Sequence, residues 1–261
     1  MDETETATGA ASPEAAPREL TANVSLEVSL EVPLEVPPDL QLKGAGKVSA
    51  LLTRPAAARW LLVLAHGAGA GMEHPFLEAL TGRLAQRGVA TLRYQFPYMD
   101  SGKGWPPDRP PLLVATVRAA VARGREVADG LPLFAGGKSL GGRMTSTAAA
   151  EEDLDGVRGL VFVGFPLHTA KNPGTKRADH LPSVAPPMLF LQGTRDKLAD
   201  LDLLRPVVED LGDRATLHVV EGADHGFSIL KRSGRSDAEV LDELAAATAG
   251  WMERICPDSG G

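Results

Sequence analysis

From position 24 to position 36 every even residue is apolar and every odd residue is Ser, Glu or Pro. A period of two is the mark of a half-buried strand. Pro33, Pro37 and Pro38 lack the N–H that a central strand must donate, so a strand here belongs at a sheet edge. The same repeat, within residues 23–42, also fits a low-complexity linker. From Lys43 onward the pattern changes. Continuous apolar runs predict strands at Val48–Thr53, Trp60–Ala65, Val89–Tyr94, Leu131–Ala135, Gly159–Gly164, Met188–Gln192 and Thr216–Val220. Between them, helical periodicity predicts Pro75–Arg87, Leu112–Ala128, Leu140–Leu154, Leu201–Leu211 and Asp237–Ile255.

Apolar strands alternating with helices predict an α/β fold, a mostly parallel twisted sheet with helices on both faces. One domain is expected over residues 43–256. Residues 1–22, rich in Ala, Thr, Glu and Pro, carry too little apolar surface to offset their ordering entropy. They are expected to be disordered, as is the end at 257–261. In sheets of this kind ligands bind beyond the carboxyl ends of the strands, so the chemistry is sought in the loops that follow them.

The bulk properties narrow the function classes. A formal net charge of -7 provides no basic field for nucleic acid. The apolar runs are too short to span a bilayer. Cys256 is the single cysteine, which excludes an intramolecular disulfide. The first residues have neither the basic nor the apolar region of a secretory signal. The expectation is a cytoplasmic protein with no membrane or nucleic-acid partner. No His, Cys or carboxylate spacing suggests a metal, and no cofactor is expected.

The segment Leu131 to Gly142 runs from an apolar strand into Gly137-Lys138-Ser139-Leu140-Gly141, and then into a helix. This is G-x-S-x-G, in which glycines let strand and helix approach closely around a strained, presented serine. A phosphate-binding P-loop would also end in Gly-Lys-Ser, but it needs glycine where Pro132 stands. A second strand ends in His66-Gly67-Ala68-Gly69-Ala70-Gly71. Small residues there can turn their amides toward a developing oxyanion. Ala68 or Gly69, paired with Leu140, are the expected donors. Met72 breaks the glycine spacing of a dinucleotide site.

Two further strands open into Gly193-Thr194-Arg195-Asp196 and Asp224-His225-Gly226-Phe227. A serine hydroxyl needs an imidazole to take its proton, and the imidazole needs a carboxylate to fix its tautomer. Ser139 is thus the expected nucleophile, His225 the base and Asp196 the orienting acid. Asp224 is the competing acid, and Asp196 could instead cap the following helix. Trp105, Met144 and His66 are expected at the substrate site, with His66 also bracing the glycine-rich loop. His168 and His180 are expected in a solvated connection, Pro166 to Pro187, that also carries Lys171, Lys176 and Arg177.

With these four motifs in register from about Lys43 to Ile255, the chain resembles the α/β-hydrolase superfamily. It looks closest to the small, lid-poor branch near the dienelactone hydrolases. The resemblance implies a serine-ester mechanism on a small or medium ester or thioester. It departs from dienelactone hydrolases in the nucleophile, serine here and cysteine there, so their lactone substrate is not inherited. A non-catalytic binding protein on the same fold, or an acyltransferase using the same residues, are the competing expectations. Oligomeric state is left open by the sequence.

Overall fold

A computed structural model describes residues 25–34 and 46–257. The disorder expected at residues 1–22 lies outside the described residues, as does that at the end apart from Pro257.

Eight strands form one sheet: β1 (Ser25–Pro33), β2 (Lys47–Pro55), β3 (Trp60–Ala65), β4 (Val89–Tyr94), β5 (Leu133–Lys138), β6 (Val157–Val163), β7 (Met188–Gly193) and β8 (Ala215–Val220). Their order across the sheet is β1-β2-β4-β3-β5-β6-β7-β8. β1 pairs antiparallel with β2, and β2 antiparallel with β4; every later pairing is parallel. The alternating repeat forms β1 at the sheet edge, with Glu27, Ser29 and Glu31 exposed and Val32 buried.

The helices are α1 (Pro75–Ala85), α2 (Pro97–Asp100), α3 (Pro110–Val127), α4 (Leu140–Glu151), α5 (Leu201–Asp210) and α6 (Asp237–Ile255). Both sheet faces are covered, which is why the strands read as unbroken apolar runs. On β3, Leu61, Val63 and Ala65 enter the core shared with α3 and α4. Trp60, Leu62 and Leu64 enter the opposite core, shared with α1 and α6.

The short helix α2 was not expected, α4 ends at Glu151 short of the expected Leu154, and two further segments differ from expectation. β5 is displaced toward its C-terminal end, running through Gly136 and Gly137 to Lys138. A side chain at Gly136 would sit 2.0 Å from the Val161 carbonyl, so strand pairing continues there only because none exists. The Pro166 to Pro187 connection is exposed over residues 169–173 but is held down elsewhere. Leu167, Leu181 and Val184 anchor it at 0% exposure, and it contains two 3-10 turns, at Lys176–Ala178 and Leu181–Ser183.

Candidate active site

Ser139 stands between β5 and α4 with φ 52° and ψ -114°, a left-handed conformation that strains a serine. Two close approaches impose it. A Cβ at Gly137 would lie 2.6 Å from the Gly141 carbonyl carbon, and one at Gly141 would lie 2.6 Å from the His66 carbonyl oxygen. Neither position tolerates a side chain, so the turn stays sharp and lifts Ser139 above the carboxyl end of the sheet.

His225 follows β8 and Asp196 follows β7. His225 Nε2 lies 2.8 Å from Ser139 Oγ, and His225 Nδ1 lies 2.7 Å from Asp196 Oδ2. A carboxylate only accepts, so Nδ1 carries the proton and Nε2 is left to accept from the serine hydroxyl. Asp196 is buried, and three donors converge on it. Besides His225, these are Gln192 Nε2 at 2.5 Å and the Leu198 N–H at 2.7 Å. Asp224, the competing acid, instead accepts from the Gly226 and Ser228 N–H groups at 2.9 and 3.0 Å. It thereby closes the turn that presents His225.

The glycine-rich loop lies against the serine: a Cβ at Gly67 would be 3.8 Å from Ser139 Cβ. Tyr98, on α2, donates to the Ala68 carbonyl at 3.0 Å and reaches the Gly67 carbonyl at 3.3 Å. In a trans peptide the N–H points opposite to the C=O. Holding those two carbonyls toward Tyr98 therefore directs the Ala68 and Gly69 amides away from it. Among the described residues neither amide is donated to any acceptor. Leu140 opens α4, and its N–H has no carbonyl to reach within the helix.

His66 braces the glycine-rich loop as expected; only its expected contact with substrate is a correction, because it is fully buried with both ring nitrogens engaged. Nδ1 donates to the Gly67 carbonyl at 2.8 Å and Nε2 accepts the Phe96 N–H at 3.0 Å. Burial pushes its ionisation down to about 4, which keeps the ring neutral and compatible with that pattern. It braces the loop and meets no substrate. Met144 is also corrected: it is buried in the core between the sheet and α4, where helical spacing aims it inward. Trp105 is 68% exposed, so it neither walls an enclosed pocket nor anchors its loop.

The solvated reading of the two loop histidines is corrected as well. His168 is buried, donating from Nδ1 to the Thr169 carbonyl at 2.9 Å and accepting the Asp200 N–H at 2.9 Å. His180 Nε2 lies 2.8 Å from Ser146 Oγ. Lys171 and Lys176 are exposed, while Arg177 is tied to the Pro166 and His168 carbonyls at 3.3 and 3.0 Å.

Sequence reasoning missed Lys138 and Tyr98. Lys138 Nζ donates to the His225 carbonyl at 2.7 Å, beneath the rings of Phe76 and Phe227. Burial pushes its ionisation down to about 8, opposed by the charges of Asp196 and Asp224. The available signal was a lysine at the end of an otherwise apolar strand, flanked by Gly137 and the serine. Tyr98 carried no signal, because its role depends on α2 folding back over the loop. Among the described residues no group of three or more His, Cys, Asp or Glu could hold a metal ion. No helix among them is long and apolar enough to cross a membrane.

A strained serine between strand and helix, with acid and histidine supplied in that order by the loops after the last two strands, defines the α/β-hydrolase class. Residues 58–253 match the alpha/beta hydrolase domain family, and the chain belongs to it. The fold is shared with a dienelactone hydrolase from Anabaena variabilis (TM-score 0.65, 22% identity, 88% of this chain and 98% of that one). It is shared too with an α/β serine hydrolase without lid from Xanthomonas campestris (TM-score 0.64, 19% identity, 94% and 100%). A third likeness is Est1E from Butyrivibrio proteoclasticus (TM-score 0.61, 15% identity, 81% and 96%).

Proposed function

We propose that the protein is a serine hydrolase that cleaves a carboxylic ester or thioester of small or medium size through an acyl-enzyme. The observation that carries this reading is the unbroken hydrogen-bond chain from Asp196 through His225 to Ser139 Oγ. His225 Nε2 takes the serine proton as Oγ forms a bond to the substrate carbonyl carbon. The carbonyl electrons move onto its oxygen, which the amides of Leu140 and of Ala68 or Gly69 receive. Asp196 holds the imidazolium that forms.

Collapse of the tetrahedral intermediate breaks the bond to the alcohol or thiol, which leaves with the proton from His225. Water then enters, gives its proton to His225 and attacks the acyl-enzyme. The acid departs and Ser139 recovers its hydrogen. No step asks for a metal or an organic cofactor.

The test is labelling by a serine-reactive fluorophosphonate, comparing the wild type with Ser139→Ala and His225→Ala. Labelling of the wild type alone is the expected result. A folded wild-type protein that resists probes of several sizes would overturn the reading. It would favour a binding protein built on the same fold.

A further inference from the structure

The arginines among the described residues are not evenly paired. Arg54, Arg59, Arg93, Arg118 and Arg235 each have a carboxylate within 3.4 Å. Arg143 does not. Its Nε is buried without a partner, and among the described residues its side chain makes no hydrogen bond or ion pair. It is half-buried all the same, where an uncompensated guanidinium is unfavourable.

Its place in the fold gives that imbalance a direction. Arg143 lies one turn into α4, and its N–H donates to the Ser139 carbonyl at 3.1 Å. Residues four apart share a helix face, and helical side chains lean toward the N-terminus. The Arg143 side chain therefore leans back toward the first turn of α4, the end that Ser139 caps. Arg177, from the 3-10 turn at Lys176–Ala178 and fixed by the Pro166 and His168 carbonyls, is near enough for its charge to act on Arg143. Pro166 lies two residues beyond Gly164, where a Cβ would be 3.6 Å from His225 Cε1.

His180 joins the group through Ser146, whose hydroxyl also donates to the Arg143 carbonyl at 2.9 Å. Burial, and then the Arg177 charge, push the Arg143 ionisation down; burial and then Arg143 do the same to His180. Asp179 is the carboxylate whose charge acts on His180 in the opposite sense. Two guanidinium groups are thus brought together from separate elements, beside the nucleophile helix, and one of them has its donors unspent.

We propose that Arg143, with Arg177 beside it, is a receptor for a carboxylate or phosphate group carried by the substrate. Resting on the serine-hydrolase reading, this makes the substrate class anionic esters or thioesters. A guanidinium fork fits either oxyanion with paired hydrogen bonds. A bound anion would supply the counter-charge the protein itself withholds from Arg143.

The experiment measures thermal unfolding with succinate or inorganic phosphate added to the wild type, Ser139→Ala and Arg143→Gln. Stabilisation of the first two by about 2–4 °C, abolished in Arg143→Gln, is the expected result. A shift with succinate alone assigns a carboxylate, and a shift with phosphate alone assigns a phosphate. Because Ser139→Ala retains the anion site, a failed hydrolase reading leaves this readout intact. Should Arg143→Gln not fold, Arg143→Lys keeps the charge without the fork and should weaken binding about tenfold. No shift in the wild type with either anion, or a shift undiminished by both substitutions, would overturn the proposal.

Discussion

Lys138 Nζ donates to the backbone carbonyl of His225 at 2.7 Å, so the residue before the serine grips the residue that meets it from across the sheet. The two loops are 87 positions apart in the chain. A single ammonium thereby sets how far the imidazole stands from the hydroxyl, although Lys138 touches neither the serine oxygen nor the ring nitrogens. It is a positioning residue.

Lys138→Met should lower kcat by about tenfold with KM changed less than twofold, because the grip acts on His225 and not on substrate. Lys138→Arg should recover part of the loss. Stability should move the other way. Burial holds the folded ionisation near 8, below the unfolded value of 10.5, so the charged form is the disfavoured one in the folded protein. The penalty is complete below pH 8 and relieved as pH rises to about 10.5. Lys138→Met should thus be more stable than the wild type at pH 7, an advantage that shrinks between pH 8 and 10.5. Urea unfolding at pH 7 and pH 10 checks this; equal stability of the two proteins at pH 7 would contradict it.

Asp196→Asn should lower kcat by about 10³-fold or more while leaving the fold intact. Both carboxylate oxygens accept: Oδ2 from Gln192 and His225, Oδ1 from the Leu198 N–H. An amide has one accepting oxygen, so whichever way it turns, a donor meets a donor. Steady-state kinetics beside a circular dichroism spectrum measure the two parts of this expectation.

Acid should destabilise the protein through His66. Its folded ionisation, about 4, lies below the unfolded value of 6.5, so the unfolded chain takes up a proton first. Stability contributed by the neutral ring is complete above pH 6.5 and lost as pH falls toward 4, up to about 3 kcal/mol. Urea midpoints at pH 7.5 and 4.5 should differ accordingly, and the difference should shrink in His66→Asn.

Glu27→Gln should cost about 1–2 kcal/mol and reduce kcat a few-fold. Glu27 Oε2, on β1, accepts from Arg93 Nη2 at 3.2 Å and from Thr53 Oγ1 at 3.3 Å. Arg93 is 2% exposed, and its Nη1 holds the Met72 carbonyl at 3.0 Å. Without the carboxylate a buried guanidinium loses its partner, and the far end of the glycine-rich loop loosens with it. Chemical denaturation and turnover on a common ester report the two effects.

Most of the framework was legible in the sequence because it follows from local rules. Runs such as Trp60–Ala65 could be read as strands buried on both faces. The glycines around Ser139 announced a turn that only glycine permits. Strand order placed Asp196 and His225 in the loops of one sheet edge. What escaped depends on contacts between distant segments. Tyr98 matters through the fold of α2 over Ala68, and Lys138 through a carbonyl on another loop. Met144 and His66 were assigned to substrate by their closeness in sequence to motif residues. Helical phase turns Met144 inward, and Phe96 occupies the nitrogen by which His66 would have reached a ligand.

The stretch matched to the family begins at residue 58, after β1 and β2 have ended. Yet β2 pairs with β4, and β1 supplies the carboxylate for Arg93. The border that kinship draws through this chain is therefore not a seam along which it can be cut. A fragment trimmed to the matched stretch would bare the flank of β4, a row of unpaired amides that invites other chains to add on. Insolubility of such a fragment would report a missing selvedge, and would say nothing against the cloth.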